Sequence, residues 1–157
     1  DGAVQHYDKK HLFTFGGEHK RFTAGTERVV VNFRGVRILL EVCYDLRFPV
    51  WSRNLGDYDM ILYVASWPTP RVDAWSALLR ARAIENQCYV AGVNRMGTDP
   101  TCEYSGGSAI IDPYGKTIAE CPWSRESAVS ADIDMEALQA FRKKFPVLDD
   151  ADPFTLI

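Results

Sequence analysis

The sequence lacks any apolar stretch able to cross a bilayer: its longest, Met60–Ala65, falls far short of the roughly 20 residues a spanning helix needs. It also lacks a basic excess. Lys and Arg number 18 against 21 Asp and Glu, a net charge of −3, which argues against an electrostatic nucleic-acid binder. Histidine is scarce, with His6, His11 and His19 all near the start, and no two of the four cysteines form a CxxC pair. Zinc-ligand spacing is therefore missing. No repeat, low-complexity tract or Pro/Gly/Ser-rich linker divides the chain, and Asp1–Lys10 carries no apolar targeting core. What remains is ordinary: 157 residues, 46% hydrophobic and 25% charged, suited to one globular domain with a real core. Cys43 and Cys88 lie in apolar runs, where free cysteine behaves as a small hydrophobe. The expected thiols are reduced and the expected compartment is the cytoplasm.

Periodicity then organises the chain. Val29, Val31 and Phe33 alternate with polar neighbours, Gly35 turns, and Val36, Ile38, Leu40 and Val42 alternate again, which predicts a β-hairpin. A short helix is expected over 47–55, closed by Gly56. Met60–Ala65 is apolar on both faces, as in a covered central strand. Asp73 is placed to cap a long helix reaching about Gln87, and Cys88–Val93 reads as another buried strand. Two further β-runs, 108–111 and 116–120, flank the turn Pro113-Tyr114-Gly115, and Asp134 opens a last helix stopped by Pro146. Strands alternating with helices predict an α/β layered fold, and the hairpins make its sheet mixed.

One stretch carries chemistry: Leu39-Leu40-Glu41-Val42-Cys43-Tyr44-Asp45-Leu46-Arg47-Phe48-Pro49. A strand runs directly into Cys43 and a helical turn follows. Such a turn lifts a side chain clear of the sheet and aims the next backbone N–H at whatever that side chain attacks. A helix N-terminus there would also favour a thiolate. Cys43 is thus either a nucleophile or a core cysteine. All three histidines precede Cys43 and no C-G-x-C-W pattern exists, which argues against a papain-like site.

Further residues join that stretch in a recognisable order. Tyr7-Asp8-Lys9-Lys10-His11-Leu12-Phe13, then Glu18-His19-Lys20 leading to Gly25, then Cys43–Pro49, then Arg82–Gln87 and Asn94-Arg95, resemble the nitrilase (carbon–nitrogen hydrolase) superfamily. The run from Cys43 to Asn54, with Ala65-Ser66-Trp67-Pro68 and Phe145-Pro146, is similar to its bacterial omega-amidase branch. The resemblance implies an α-β-β-α sandwich with mixed sheets, hydrolysing linear amides without metal or organic cofactor. It also implies a homodimer. The family's catalytic triad is Glu, Lys and Cys, and its first Glu lies well before the Lys. That Glu has no counterpart here, so residues 1–157 are expected to be the C-terminal part of a single carbon–nitrogen hydrolase domain, with the N-terminal portion absent.

By that resemblance Cys43 is the nucleophile, Lys9 and the backbone N–H of Tyr44 hold the oxyanion, and Glu18 is the second glutamate beside Lys9. The implied substrate is a small-molecule ω-amide of an α-keto dicarboxylic acid, such as 2-oxoglutaramate. An amidase of the deaminated-glutathione branch and a silent nitrilase-like scaffold are the alternatives. Each residue also has a plainer reading. Lys9 beside Lys10 is a solvated pair, and Glu18 after Gly16-Gly17 a surface loop residue. Trp67 either walls the substrate pocket or packs. His11 is expected to be structural, Arg82 and Glu85 to pair along a helix, and Arg47 to pair with Asp45 or another acid unless it takes a substrate carboxylate.

Overall fold

A computed structural model describes residue 2 and residues 4–155. The alternation upstream of Cys43 folds as expected. Val30–Phe33 (β1) and Val36–Val42 (β2) pair antiparallel, with Val31 opposite Ile38. Next in the chain comes Met60–Ala65 (β3), then helix α1 (Val72–Glu85) and Tyr89–Asn94 (β4). A ribbon follows, Met96–Thr98 (β5) and Glu103–Ser105 (β6), then Ala109–Ile111 (β7), Thr117–Glu120 (β8) and helix α2 (Met135–Lys144).

These strands make a six-stranded mixed sheet in the order β1-β2-β3-β4-β7-β8, and β5-β6 stand apart as a two-stranded pair. The three central strands are parallel, the outer pairings antiparallel. The fold is therefore the mixed α/β one expected. Parallel pairing matters for function, because it collects the carboxyl ends of β2, β3 and β4 along one edge, where open α/β sheets bind their ligands.

The core lies between the sheet and α1. Leu39, Ile61 and Val90 stand side by side across β2, β3 and β4 and are fully buried, beneath Trp75, Leu79 and Ala83 of the helix. Each such aliphatic side chain contributes about 1.5–3 kcal/mol through burial. The helix sits close because β4 has glycine at 92, where a Cβ would come within 2.6 Å of Leu79 Cδ1 and 2.8 Å of Trp75 Cζ2. The opposite face of the sheet is apolar too, carrying Leu40, Leu62, Val64 and Val93, of which the last two are about half exposed.

Two local expectations are corrected. The helix placed over 47–55 is instead a 3-10 turn over Cys43–Arg47, followed by turns; Pro49 cannot donate a helical hydrogen bond, and Phe48 is already non-helical. Helix α1 starts at Val72, continuing a 3-10 turn over Thr69–Arg71, so Asp73 lies in its first turn instead of capping it. The β5-β6 ribbon was not foreseen. Asp134 does cap α2, accepting the Ala137 N–H at 2.8 Å.

Candidate active site

The β2 strand ends at Val42 and the chain turns at Cys43, whose φ of +50° lies in the left-handed region that a side chain disfavours. Strain at a residue between a strand and a helical turn is how a side chain is lifted off a sheet edge. The thiol points towards the carbonyl of Ser66 just past the end of β3, with Sγ 3.9 Å from that oxygen. Tyr44 is the second residue of the 3-10 turn, whose leading amides have no acceptor within the helix. Its ring packs edge-on against Phe13 and Phe48.

Lys9 arrives from the N-terminal segment. Its ammonium donates to Glu18 Oε2 at 2.7 Å, and the same oxygen accepts the Phe13 N–H at 2.8 Å. The carbonyl of Lys9 accepts the Gly25 N–H at 2.9 Å, and a side chain at Gly25 would run into the backbone of Asp8. Partial burial of Glu18 works to raise its carboxyl, but the Lys9 and Phe13 donors and the Lys9 charge prevail and hold it below the usual range. Glu18 is therefore a carboxylate at neutral pH, not a free surface group.

At Cys43 the balance goes the other way. Burial pushes the thiol up, the positive charge of Lys9 and the Ser66 carbonyl contact pull it down, Glu18 and Asp45 push it up again, and the net direction is upward. The helical turn does not deliver the thiolate that the strand-to-helix pattern implied. A resting thiol needs a base to take its proton when it attacks. Two residues before Cys43 on β2, Glu41 is fully buried, hydrogen-bonded to Ser52, and burial raises its carboxyl to about 7.

Cys43, Lys9, Glu18, Tyr44 and Trp67 all line one cleft of about 1020 Å³ at the carboxyl end of the central strands. Trp67 packs, as its plainer reading had it, and also borders the cleft. It is buried against Trp75 at 5.5 Å and donates from Nε1 to the carbonyl of Arg71 at 2.7 Å. Arg82 and Glu85 pair at 2.8 Å as expected. Arg47 does not pair with Asp45. Its guanidinium lies 4.9 Å from the Trp67 ring centre and has no carboxylate partner among the described residues.

Two further residues bear on the cleft, Arg71, which sequence reasoning passed over, and Asn94, which it named only as a family landmark. Arg71 lies 5.6 Å from the Phe13 ring centre and likewise lacks a carboxylate partner among the described residues. Asn94, at the end of β4, accepts the Trp67 N–H at 2.7 Å and donates to the carbonyls of Trp67 and Gly106 at 3.0 and 2.7 Å. A buried asparagine thus ties the ends of β3 and β4 together. Its position directly after a buried strand was the available signal.

A strained cysteine and a lysine–glutamate pair thus line one cleft at the carboxyl edge of a mixed α/β sheet, which places the chain among α/β proteins with a thiol at a strand end. The sequence model of the carbon–nitrogen hydrolases matches residues 1–143, and the chain belongs to that family. It is 55% identical over 156 residues to the omega-amidase YafV of Escherichia coli, spanning 99% of this chain and 61% of that protein. The 2-oxoglutaramate amidase of Bacillus subtilis is 42% identical over 149 residues, 94% of this chain and 57% of the relative. Among solved structures, a carbon–nitrogen hydrolase superfamily protein of Xanthomonas campestris, crystallised with an arsenic adduct in its active site, superposes with a TM-score of 0.95 at 49% identity. That match covers 99% of this chain and 62% of the other. The chain thus spans about three fifths of the relatives' length.

Proposed function

We propose that the protein containing this chain hydrolyses the ω-amide of an α-keto dicarboxylic acid, such as 2-oxoglutaramate, to the diacid and ammonia. The observation that carries the reading is the strained Cys43 in one cleft with the Lys9–Glu18 pair. In this reading the Cys43 sulfur attacks the amide carbonyl as its proton passes to a general base. The tetrahedral oxyanion is held by the Lys9 ammonium and the Tyr44 N–H. Collapse breaks the C–N bond, the leaving nitrogen takes up the proton, and ammonia departs from a thioester on Cys43. Water activated by the same base cleaves the thioester and restores the thiol. Glu18 holds the Lys9 amine in place through their 2.7 Å bond. The raised Cys43 thiol makes the base indispensable.

The family resemblance assigns that base to a glutamate preceding Lys9 in the complete domain, outside these 157 residues. The half-exposed apolar face around Val64 and Val93 supports a further layer of the same domain packed there. Exposed Val50, Leu55 and Ile84, on two segments joined by the Arg53 bond to the Glu85 carbonyl, support a homodimer. The free thiols are in keeping with a cytoplasmic setting. An anionic substrate suits the cleft, whose Arg47 and Arg71 have no carboxylate partner among the described residues and present guanidinium groups to its wall.

The test is ammonia release from 2-oxoglutaramate by the full-length protein. Cys43→Ala should abolish turnover, a loss on the order of 10⁴-fold or more, with the fold intact. Retained turnover in that variant removes Cys43 from the reaction. A folded wild-type protein that releases no ammonia from this or other linear amides is a silent scaffold.

A further inference from the structure

We infer that Asp45 is a positioning residue: its buried carboxylate fastens both flanks of Lys9 to the residue preceding Cys43, and so sets where the Lys9 amine stands relative to the thiol. The inference rests on the proposed amide hydrolysis for its meaning, but not for its geometry.

Asp45 is fully buried two residues after Cys43. Oδ1 accepts the backbone N–H of His11 at 2.9 Å and contacts His11 Nδ1 at 2.8 Å. Oδ2 accepts the Tyr7 hydroxyl at 2.9 Å and the Val42 N–H at 3.0 Å. Both oxygens are thus doubly engaged, which accounts for the full acceptor capacity of a carboxylate. The bond to Val42 is local, an acidic third residue of a helical turn reaching back to its first amide. The rest are not local. Three of the four contacts go to residues 7 and 11, which stand two positions before and two after Lys9.

Each arm is braced in turn. The Tyr7 oxygen accepts the Trp51 Nε1–H at 3.0 Å and the Lys10 N–H at 3.1 Å. The His11 ring lies flat on Phe48 at 3.8 Å between centres, with Trp51 edge-on at 6.0 Å. A buried carboxylate is tolerated only when hydrogen-bonded throughout, so this one is over-determined in position. A cap for a five-residue turn needs one such bond. The other three have no purpose in the turn itself, and their common effect is to hold the lysine segment against it.

The experiment combines Asp45→Asn with Lys9→Met in the full-length protein. Asn keeps the shape but sets an NH2 group against two of the four donors that the carboxylate accepts. Asp45→Asn is expected to lower kcat by about 10²-fold, the cost of misplacing a catalytic group by roughly 1 Å, with KM little changed. In the Lys9→Met background the same substitution should cost nothing further, because the group it positions is gone. An equal loss in both backgrounds, or wild-type kcat in a folded Asp45→Asn protein, overturns the inference. Should Asp45→Asn fail to fold, Tyr7→Phe removes a single arm and enters the same cycle, with a smaller loss expected and the same outcomes against it.

A second readout does not require turnover. The pH profile of Cys43 alkylation by iodoacetamide, followed on its own peptide, should move upward in Asp45→Asn as the Lys9 charge drifts from the thiol. A nearby negative charge acting only through space would move it downward on removal, and that result, or no movement, defeats the proposal. If the wild-type protein hydrolyses no amide, the functional reading fails while this profile still decides the geometry.

Discussion

The two ends of the parallel strands hold similar charges and use them differently. At the amino end, Asp59 precedes β3 and is nearly inaccessible; it accepts from Arg37 Nε and Nη2 at 2.9 and 2.7 Å and from Arg142 Nη1 at 3.0 Å. Arg142 continues to the carbonyls of Tyr58 and Gln87, tying α2 to the sheet. There, each charge has its complement. At the carboxyl end, Lys9 has one carboxylate partner, Arg47 and Arg71 rest on aromatic rings, and Cys43 carries a strained backbone beside open space. A cluster that satisfies itself stabilises the fold. One left partly unsatisfied can receive an anion and a developing oxyanion.

The comparison is broken most sharply at Lys9. Lys9→Met should reduce kcat for amide hydrolysis by about 10²–10³-fold, as loss of an oxyanion donor does, with no comparable fall in the urea midpoint. A large stability loss and a small kinetic one would put Lys9 in the same class as Arg37.

Asp59→Ala should do the reverse. It strands Arg142 and Arg37 and should cost roughly 2–3 kcal/mol in urea unfolding, at the low end for a broken buried pair because Arg37 is partly exposed. Turnover per folded molecule should stay unchanged. The same carboxylate makes a prediction in pH. Burial works to raise the Asp59 carboxyl, but the Arg37 hydrogen bonds and the Arg37 and Arg142 charges hold it below its ordinary 3.8. Its folded value being depressed, its contribution is complete above about 3.8 and fades as pH falls through the lower folded value. Asp59→Ala should therefore lose less stability on acidification than the wild type, read as a shallower fall in thermal midpoint.

The smallest effect is expected at Asp134. Asp134→Ala removes the α2 cap and should cost about 1 kcal/mol, leaving the Arg142 bonds at the far end of the helix in place. A larger loss would mean that the closed cluster depends on the whole helix.

Much of the frame was legible because hydrophobic period and caps are local signals. The alternation of 29–42, the unbroken apolar run of β3 and the cap at Asp134 each correspond to an observed element. The β5-β6 ribbon escaped because its strands are three residues each, with Gly97 inside one, too short for any period to register. The expected helix over 47–55 failed at Phe48-Pro49, where proline restricts the residue before it. For the site, Cys43, Lys9 and Glu18 were reached through family order, not through spacing alone. The pairing assigned to Arg47 was wrong because Asp45, its near neighbour in sequence, was already engaged by residues 7 and 11.

Sequence by itself determined the strands of the main sheet and the two long helices, and that a cysteine would stand where a strand stops, since these follow from side-chain period and turn chemistry within a few residues. Tertiary structure alone decided which charges are closed and which are open. A hydrogen bond between Asp45 and Tyr7 spans 38 positions, and one between Arg142 and Asp59 spans 83. Partner choice over such separations depends on which strand ends the parallel pairing brings together, and no local pattern contains that information.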